Sequence, residues 1–144
     1  MGQIKFITDF DDQFFQNKRI FVRVDFNVKV KDNAVSEDYR IRSAIPTIEY
    51  LVKRGAKVIL ASHLDRPSGK ELKYSLRPVS KKLGEMLSSF NAGVTFSADC
   101  IGKDTLDLIN GLKNGDVLLL ENLRFYSEEE KNDPIFSEKL ANYA

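Results

Sequence analysis

Three apolar runs of the sequence each end in polar residues of the kinds that bind small anions. The runs are Arg19-Ile-Phe-Val-Arg-Val24, Lys57-Val-Ile-Leu-Ala61 and Asp116-Val-Leu-Leu-Leu120. The polar residues behind them are, in the same order, Asp25 and Asn27, His63 and Arg66, and Arg124. If the runs are parallel strands, these residues meet at the edge where open α/β sheets bind ligands. We therefore expect one pocket rich in Arg and His with one carboxylate, which suits a small phosphorylated anion.

Each of these residues also fits a purely structural role when it is taken alone. The pair after the first run is typical of turn formers, and a single histidine after a strand is more often structural than catalytic. Arg66 fits a solvated loop cation, and Arg124 fits a surface ion pair with one of the acidic residues 128–130. That acidic run is itself typical of a solvated face. The joint placement at three strand ends favours the pocket.

Arg40 lies where the sequence predicts the first turn of a helix. A cation there opposes the helix dipole at a cost of about 0.3–1 kcal/mol when it is exposed. One source of compensation is local pairing with Glu37 or Asp38. The other is an anion that binds both the Arg40 guanidinium and the free N–H groups of the helix start.

The elements that position these residues alternate between strands and helices. Apolar residues at helical spacing predict a first helix that Gly55 closes: Ile41, Ala44, Ile45, Ile48, Leu51 and Val52. Pro46 lies within this stripe, so we expect either a kink there or a helix that begins near Ser43.

Further along the chain, turn residues separate more elements of both kinds. The sequence predicts, in order, a helix over Arg77–Ser88 with Pro78 at its first position, a strand at Val94–Phe96 after Gly93, a helix over Asp104–Leu112, and a last helix capped by Asp133 that continues to the end of the chain. This alternation predicts an α/β fold, a Rossmann-like parallel sheet with helices on both faces.

Composition restricts the class of protein. The 144 residues suffice for one domain, and a formal net charge of +1 gives no general attraction to nucleic acid or to a membrane. We expect neither as a partner. One cysteine and the lack of a long apolar run favour a soluble protein of the reducing cytoplasm. No GxxxxGK[ST], GxGxxG or metal-ligand spacing is present, so the sequence predicts no nucleotide loop and no metal site in these residues.

Three motifs of this sequence resemble the N-terminal signatures of phosphoglycerate kinases. They are Arg23-Val-Asp-Phe-Asn-Val28, Ser62-His-Leu-Asp-Arg-Pro67 and Leu120-Glu-Asn-Leu-Arg-Phe125. Arg40 and Ile45-Pro-Thr-Ile48 also sit where that family has theirs, and the resemblance covers the chain from Arg19 to Ala144. It implies the N-terminal lobe of a two-lobe kinase that moves a phosphoryl group between 1,3-bisphosphoglycerate and ADP in glycolysis.

The resemblance also implies roles for individual residues. Substrate contacts would come from Asp25, Phe26, Asn27, Arg40, His63, Leu64, Asp65, Arg66 and Arg124. Asp25 and Asn27 would hold the glycerate hydroxyl region. His63, Arg66 and Arg124 would bind the phosphate that is not transferred. Arg40 would be catalytic: it would approach the carboxylate or acyl phosphate and stabilise charge on the phosphoryl group during its transfer.

Two departures from the family pattern are visible. The family usually has Gly where this sequence has Asp65, which adds a carboxylate beside the basic pocket and leads us to expect a different turn and weaker or reshaped binding at most. The family pattern also continues beyond Ala144 with an Asp-Ala-Phe strand exit, a His-Arg segment and the second lobe. We therefore expect residues 1–144 to be a truncated substrate-binding domain, incomplete at its C-terminal end and inactive alone.

The same resemblance implies that Mg-ATP or Mg-ADP binds in the second lobe and that the intact enzyme is a monomer. Two other interpretations remain open from the sequence. One is a stand-alone anion-binding module, and the other is a domain that self-associates through an exposed sheet edge.

Overall fold

A four-stranded parallel sheet forms the centre of the computed structural model, which describes residues 2–144. The strands are, in chain order, β1 (Arg19–Arg23), β2 (Val30–Lys31), β3 (Ala34–Val35), β4 (Lys57–Ala61), β5 (Val94–Phe96) and β6 (Val117–Leu119). The sheet has the order β1-β4-β6-β5, and β2 and β3 form a separate antiparallel hairpin. The four sheet strands lie where the sequence predicts them.

Five α-helices surround the sheet within residues 2–144. They are α1 (Tyr39–Lys53), α2 (Arg77–Leu87), α3 (Lys103–Asn110), α4 (Ser127–Glu130) and α5 (Pro134–Ala141). Asp133 caps α5 as predicted, because its carboxylate accepts a hydrogen bond from the Phe136 N–H at 2.8 Å. The short helix α4 is not part of the prediction, which treats its acidic residues as a solvated face.

The sheet separates two apolar cores, which confirms the prediction of helices on both faces. In β4, Val58 and Leu60 pack into the core that contains the buried faces of α1 and α2. The alternate residues Ile59 and Ala61 pack into the core that contains Ile109 of α3 and Phe136 of α5. Because β4 is buried on both sides, its sequence is a continuous apolar run, as is usual for an interior parallel strand.

Helix α1 begins at Tyr39 and continues through Pro46, so the predicted start near Ser43 is wrong. Pro46 is exposed, and it provides no N–H for the Arg42 carbonyl one turn earlier. Gly55 follows the end of the helix with φ +73°, the left-handed conformation that glycine adopts without strain.

The last helix ends before the chain does, so the prediction that it continues to the end of the chain is wrong. Helix α5 ends at Ala141, and the Tyr143 N–H donates to the Leu140 carbonyl in a tighter turn. Tyr143 is buried, and its hydroxyl donates to the Cys100 carbonyl at 2.8 Å. This contact turns the backbone out of the helix.

Strand register aligns the carboxyl ends at which the polar residues lie. Arg23 of β1 pairs with Ala61 of β4, and Leu60 of β4 pairs with Leu119 of β6. The loops that leave these three strands therefore start at nearly the same level of one edge. No helix within residues 2–144 is long and apolar enough to cross a bilayer.

Candidate anion-binding site

Hydrogen bonds join the three loops that follow the carboxyl ends of β1, β4 and β6. We call this side of the sheet the carboxyl edge. The Phe26 N–H donates to Ser62 Oγ at 2.9 Å, and the Asp65 N–H donates to Asn27 Oδ1 at 2.9 Å. The Leu123 N–H donates to the Ser62 carbonyl at 3.0 Å. Each loop is thus connected to a neighbour, and the predicted convergence of the three strand exits is present.

Asn122 is the buried centre of this arrangement. Its Oδ1 accepts from the N–H groups of Leu64 and Arg124, both at 3.0 Å. Its Nδ2 donates to the carbonyls of Leu64 at 2.7 Å and Tyr74 at 3.0 Å. The amide side chain therefore uses both its donors and both its acceptor positions.

Glu121 connects the end of β6 to the start of α2. Its carboxylate is 4% exposed and accepts from Ser75 Oγ at 2.7 Å and from the N–H groups of Leu76 and Asn122, both at 2.8 Å. A carboxylate at a helix start is favoured by the helix dipole.

Ser62, Glu121 and Asn122 form what we call the buried frame, and none of the three is among the residues that the sequence singles out. The Glu-Asn pair directly after a buried strand is the signal that points to two of them.

Arg40 and Asp25 form an ion pair between two of the predicted site positions. Arg40 Nη1 lies 3.0 Å from Asp25 Oδ1, which also accepts from the Asn27 N–H at 3.1 Å. Both charged side chains are about half exposed, at 49% and 60%. The pair links the start of α1 to the loop after β1.

The alternative of local pairing for Arg40 is wrong. Glu37 pairs with Lys29 at 3.1 Å, and Asp38 pairs with Arg42 at 3.0 Å. Both nearby carboxylates thus have other partners, because Arg42 lies four residues after Asp38 on α1 and Lys29 lies at the hairpin beside Glu37.

Arg124 does form an ion pair with the acidic run, as the structural interpretation predicts. Its Nε lies 3.3 Å from Glu129 Oε2 and 3.6 Å from Glu130 Oε1. Its Nη1 donates to the Asp65 carbonyl at 3.1 Å. Glu129 also binds Arg23 Nη2 at 2.5 Å and is only 11% exposed, so the prediction of a solvated face is wrong for this residue. Arg23, at the end of β1, is a further cation that the prediction omits.

His63 is half-buried close to these arginines. Its Nδ1 is buried and has no hydrogen-bond partner among residues 2–144. Burial lowers the pKa of His63, and the charges of Arg124 and Arg23 lower it further, with partial opposition from Glu129 and Asp25. The imidazole is therefore neutral at pH 7.

Arg66 is exposed, and its guanidinium makes no hydrogen bond or ion pair within the described part of the chain. Only its backbone N–H is used, as a donor to Asp65 Oδ1 at 2.9 Å. Asp65 has φ +57°, a left-handed conformation that Asp tolerates better than most residues. The loop thus adopts a backbone conformation that also suits glycine, and a turn different from that of the family stays a prediction.

Phe26 and Leu64 have side chains in the apolar core, with exposures of 0% and 3%. Their backbone groups take part in the hydrogen bonds that join the loops. Their burial fixes the neighbouring polar residues, and direct substrate contact by either one stays a prediction.

A half-open pocket of about 490 Å³ lies beside the site and is lined in part by Asn27, Leu64 and Asp65. His63, Arg66 and Arg124 do not line it and lie on the open edge. Residues 2–144 contain no cluster of three or more His, Cys, Asp or Glu side chains that could hold a metal ion. The Arg and His side chains of the site suit an anion.

Comparison with known proteins gives a consistent result. The family profile described as phosphoglycerate kinase matches residues 7–144. The phosphoglycerate kinase of Borreliella afzelii is 51% identical over 139 residues, which cover 96% of this chain and 34% of the relative. That of Dictyoglomus turgidum is 51% identical over 140 residues, which cover 97% of this chain and 35% of the relative.

Solved structures agree with this result. The crystal structure of phosphoglycerate kinase from Pyrococcus horikoshii OT3 matches with a TM-score of 0.79 and 33% identity, over 95% of this chain and 34% of that one. The Coxiella burnetii phosphoglycerate kinase matches with a TM-score of 0.71 and 29% identity, over 89% of this chain and 30% of that one. The chain thus spans about a third of the length of the relatives it matches. It belongs to the phosphoglycerate kinase family.

Proposed function

We propose that these residues form the 3-phosphoglycerate-binding part of an enzyme that moves a phosphoryl group between 1,3-bisphosphoglycerate and ADP. The observation that carries the proposal is the carboxyl edge itself. It brings together the Arg66 guanidinium and the His63 Nδ1, which have no partner among residues 2–144, and two further arginines, Arg23 and Arg124. A phosphate group would supply a partner for the free guanidinium.

The phosphate that is not transferred would bind to Arg66, His63 and Arg124. Arg66 has all five guanidinium N–H groups available for a ligand. Arg124 has three of its five available, because only Nε and one Nη1 hydrogen are used within the described residues. A phosphate beside His63 would raise the pKa of the imidazole and favour its charged, donating form. Binding is therefore expected to take up protons.

The glycerate end would lie toward the loop after β1 and the start of α1. Asp25 and Asn27 provide oxygen acceptors for the hydroxyl group. Arg40, which Asp25 holds by its Nη1, would point its remaining N–H groups at the carboxylate and at the acyl phosphate that it becomes. Charge on the transferred group would then be stabilised by a fixed cation.

This division of roles needs no acid–base pair. Phosphoryl transfer depends on positioning and on electrostatic stabilisation, both of which fixed arginines provide. The nucleotide with its magnesium ion supplies the phosphoryl donor or acceptor, and we propose that it binds in the second lobe that the family resemblance implies. By themselves the 144 residues would bind substrate without turning it over.

We propose that the intact enzyme acts as a monomer on small molecules. We also propose a cytoplasmic location, because the chain has one cysteine, Cys100, which is a buried free thiol and suits a reducing compartment.

Activity of the full-length protein, measured with 3-phosphoglycerate and ATP in a coupled assay, tests the proposal. Arg40→Ala should lower kcat by roughly 10²–10³-fold, the loss typical when one fixed donor to a transition state is removed. Arg42→Ala is the matched control, because Arg42 is exposed on the same helix and pairs with Asp38. An inactive wild type contradicts the function, and unchanged turnover in Arg40→Ala contradicts the role of Arg40.

A further inference from the structure

We propose that Glu129 is a positioning residue for the phosphate site, because its two carboxylate oxygens hold two arginines of the carboxyl edge at once. Oε1 binds Arg23 Nη2 at 2.5 Å, and Oε2 lies 3.3 Å from Arg124 Nε. This inference rests on the function proposed above. It assigns a role to a residue that would not itself touch the substrate.

The backbone that carries Glu129 is fixed by core packing. The Glu129 N–H donates to the Tyr126 carbonyl at 3.1 Å, and the Tyr126 ring stacks on Phe136 with centroids 5.0 Å apart. The Asp133 N–H donates to the Glu128 carbonyl at 3.0 Å, which ties α4 to the start of α5. The carboxylate is therefore presented from a rigid element.

Two hydrogen bonds define the orientation of the Arg124 guanidinium plane. Nε meets Glu129, and Nη1 donates to the Asp65 carbonyl at 3.1 Å. A planar group held at two separate nitrogens cannot rotate about its stem. Without Glu129, one of these contacts is lost and the guanidinium can leave the orientation that suits a phosphate.

Burial distinguishes Glu129 from Glu130, its neighbour in the acidic run. Its side chain is 11% exposed, whereas that of Glu130 is 61% exposed. Burial alone raises the pKa of the Glu129 carboxyl, but the hydrogen bond and charge of Arg23 and the charge of Arg124 outweigh this, and the pKa lies below its usual value. Glu129 is thus ionised at neutral pH and binds both cations as a carboxylate.

Removal of the Glu129 charge has opposite expected effects on substrate binding, depending on whether Glu129 acts through its charge alone or by positioning the arginines. A carboxylate beside an anion site repels the anion, so simple removal of the charge would tighten binding. Loss of the arginine orientation would weaken it. The direction of the change in KM therefore separates the proposed role from a background electrostatic one.

The experiment compares variants of the full-length protein in the coupled assay with 3-phosphoglycerate. Glu129→Gln should raise KM for 3-phosphoglycerate about tenfold, since the amide can accept from one arginine but not from both. The value of kcat should change little, because the contact acts on binding of the remote phosphate. Glu129→Asp keeps the charge but is one methylene shorter, and its KM should rise as well.

Glu130→Gln is the matched control, because Glu130 lies 3.6 Å from the same Arg124 Nε but is exposed. Its KM should stay constant or fall. Urea unfolding of each variant shows which remain folded, and Glu129→Asp decides the outcome if Glu129→Gln does not fold. An active wild type with an unchanged or lower KM in Glu129→Gln or, if that variant does not fold, in Glu129→Asp, overturns this inference alone. An inactive wild type overturns the proposed function and this inference together.

Discussion

The buried frame and the exposed Arg66 lie at the same carboxyl edge but differ in how their polar groups are used. In the buried frame, Asn122 is fully buried and makes four hydrogen bonds, so none of its capacity is left for a ligand. Arg66 is exposed, and its guanidinium has no partner among residues 2–144. The buried frame thus joins the loops, whereas we propose that the exposed guanidinium binds an anion.

His63 lies at the boundary between the two sets. It follows Ser62 of the buried frame directly, and its buried Nδ1 lacks the partner that buried polar atoms normally have. Such an atom costs free energy in the unbound protein. The unpaired nitrogen is thus a cost that the fold carries beside the arginines.

Removing the centre of the buried frame should have the largest effect on stability. Asn122→Ala leaves the Leu64 N–H and carbonyl, the Arg124 N–H and the Tyr74 carbonyl without their partner. We expect the free energy of unfolding to fall by about 3 kcal/mol, since unpaired buried groups cost roughly 1–3 kcal/mol each and water can satisfy some of them. Urea unfolding measures this loss.

The matched control for that variant is Asn114→Ala. Asn114 is exposed and makes one side-chain hydrogen bond, to Asn17. Its loss should stay within about 0.5 kcal/mol. Equal losses for the two asparagines would contradict the distinction between the buried frame and the surface.

His63 should make stability depend on pH. Because burial and the charges of Arg124 and Arg23 lower its pKa in the folded state, the unfolded chain binds the proton more readily. Stability from this group is present above the ordinary value of 6.5 and is lost as the pH falls toward the folded pKa. The His63→Gln variant should therefore lose less stability than the wild type between about pH 7.5 and pH 5.5. Parallel urea-unfolding curves for both proteins across that range would argue against it.

The smallest effect should come from the carboxylate that this sequence adds to the basic loop. Asp65→Asn keeps a residue that tolerates φ +57° and removes one negative charge near Arg124 and Arg66. We expect the affinity for 3-phosphoglycerate, measured by calorimetry, to rise about threefold, as is usual for one exposed charge. Asp32→Asn is the control, because Asp32 is exposed at φ +51° on the hairpin. A similar gain in both variants would show that only net charge matters.

The regular elements could be predicted because their signals are local. The apolar run of β4 and the cap at Asp133 each depend on residues within a few positions, and both are found where the sequence predicts them. The path of α1 through Pro46 depends on the exposure of that residue in the folded chain, which no local pattern contains.

The candidate site was harder to predict because its support is made of distant contacts. Glu129 lies 106 positions after Arg23, and only the packing of α4 near the end of β1 makes it a buried partner. In sequence it is one of three adjacent glutamates. Asn122 likewise has the type of a common turn former, and its role depends on a contact with Leu64, 58 positions away.

The central claim is that the carboxyl edge binds 3-phosphoglycerate, and an amide titration of the ¹⁵N-labelled full-length protein tests it most directly. We predict that 3-phosphoglycerate shifts the backbone amide signals of Asn27, His63, Arg66 and Arg124 in a saturable way. These four belong to the three loops that hydrogen bonds join. No chemical-shift change at any of the four amides at saturating ligand, with or without shifts elsewhere, would contradict the claim.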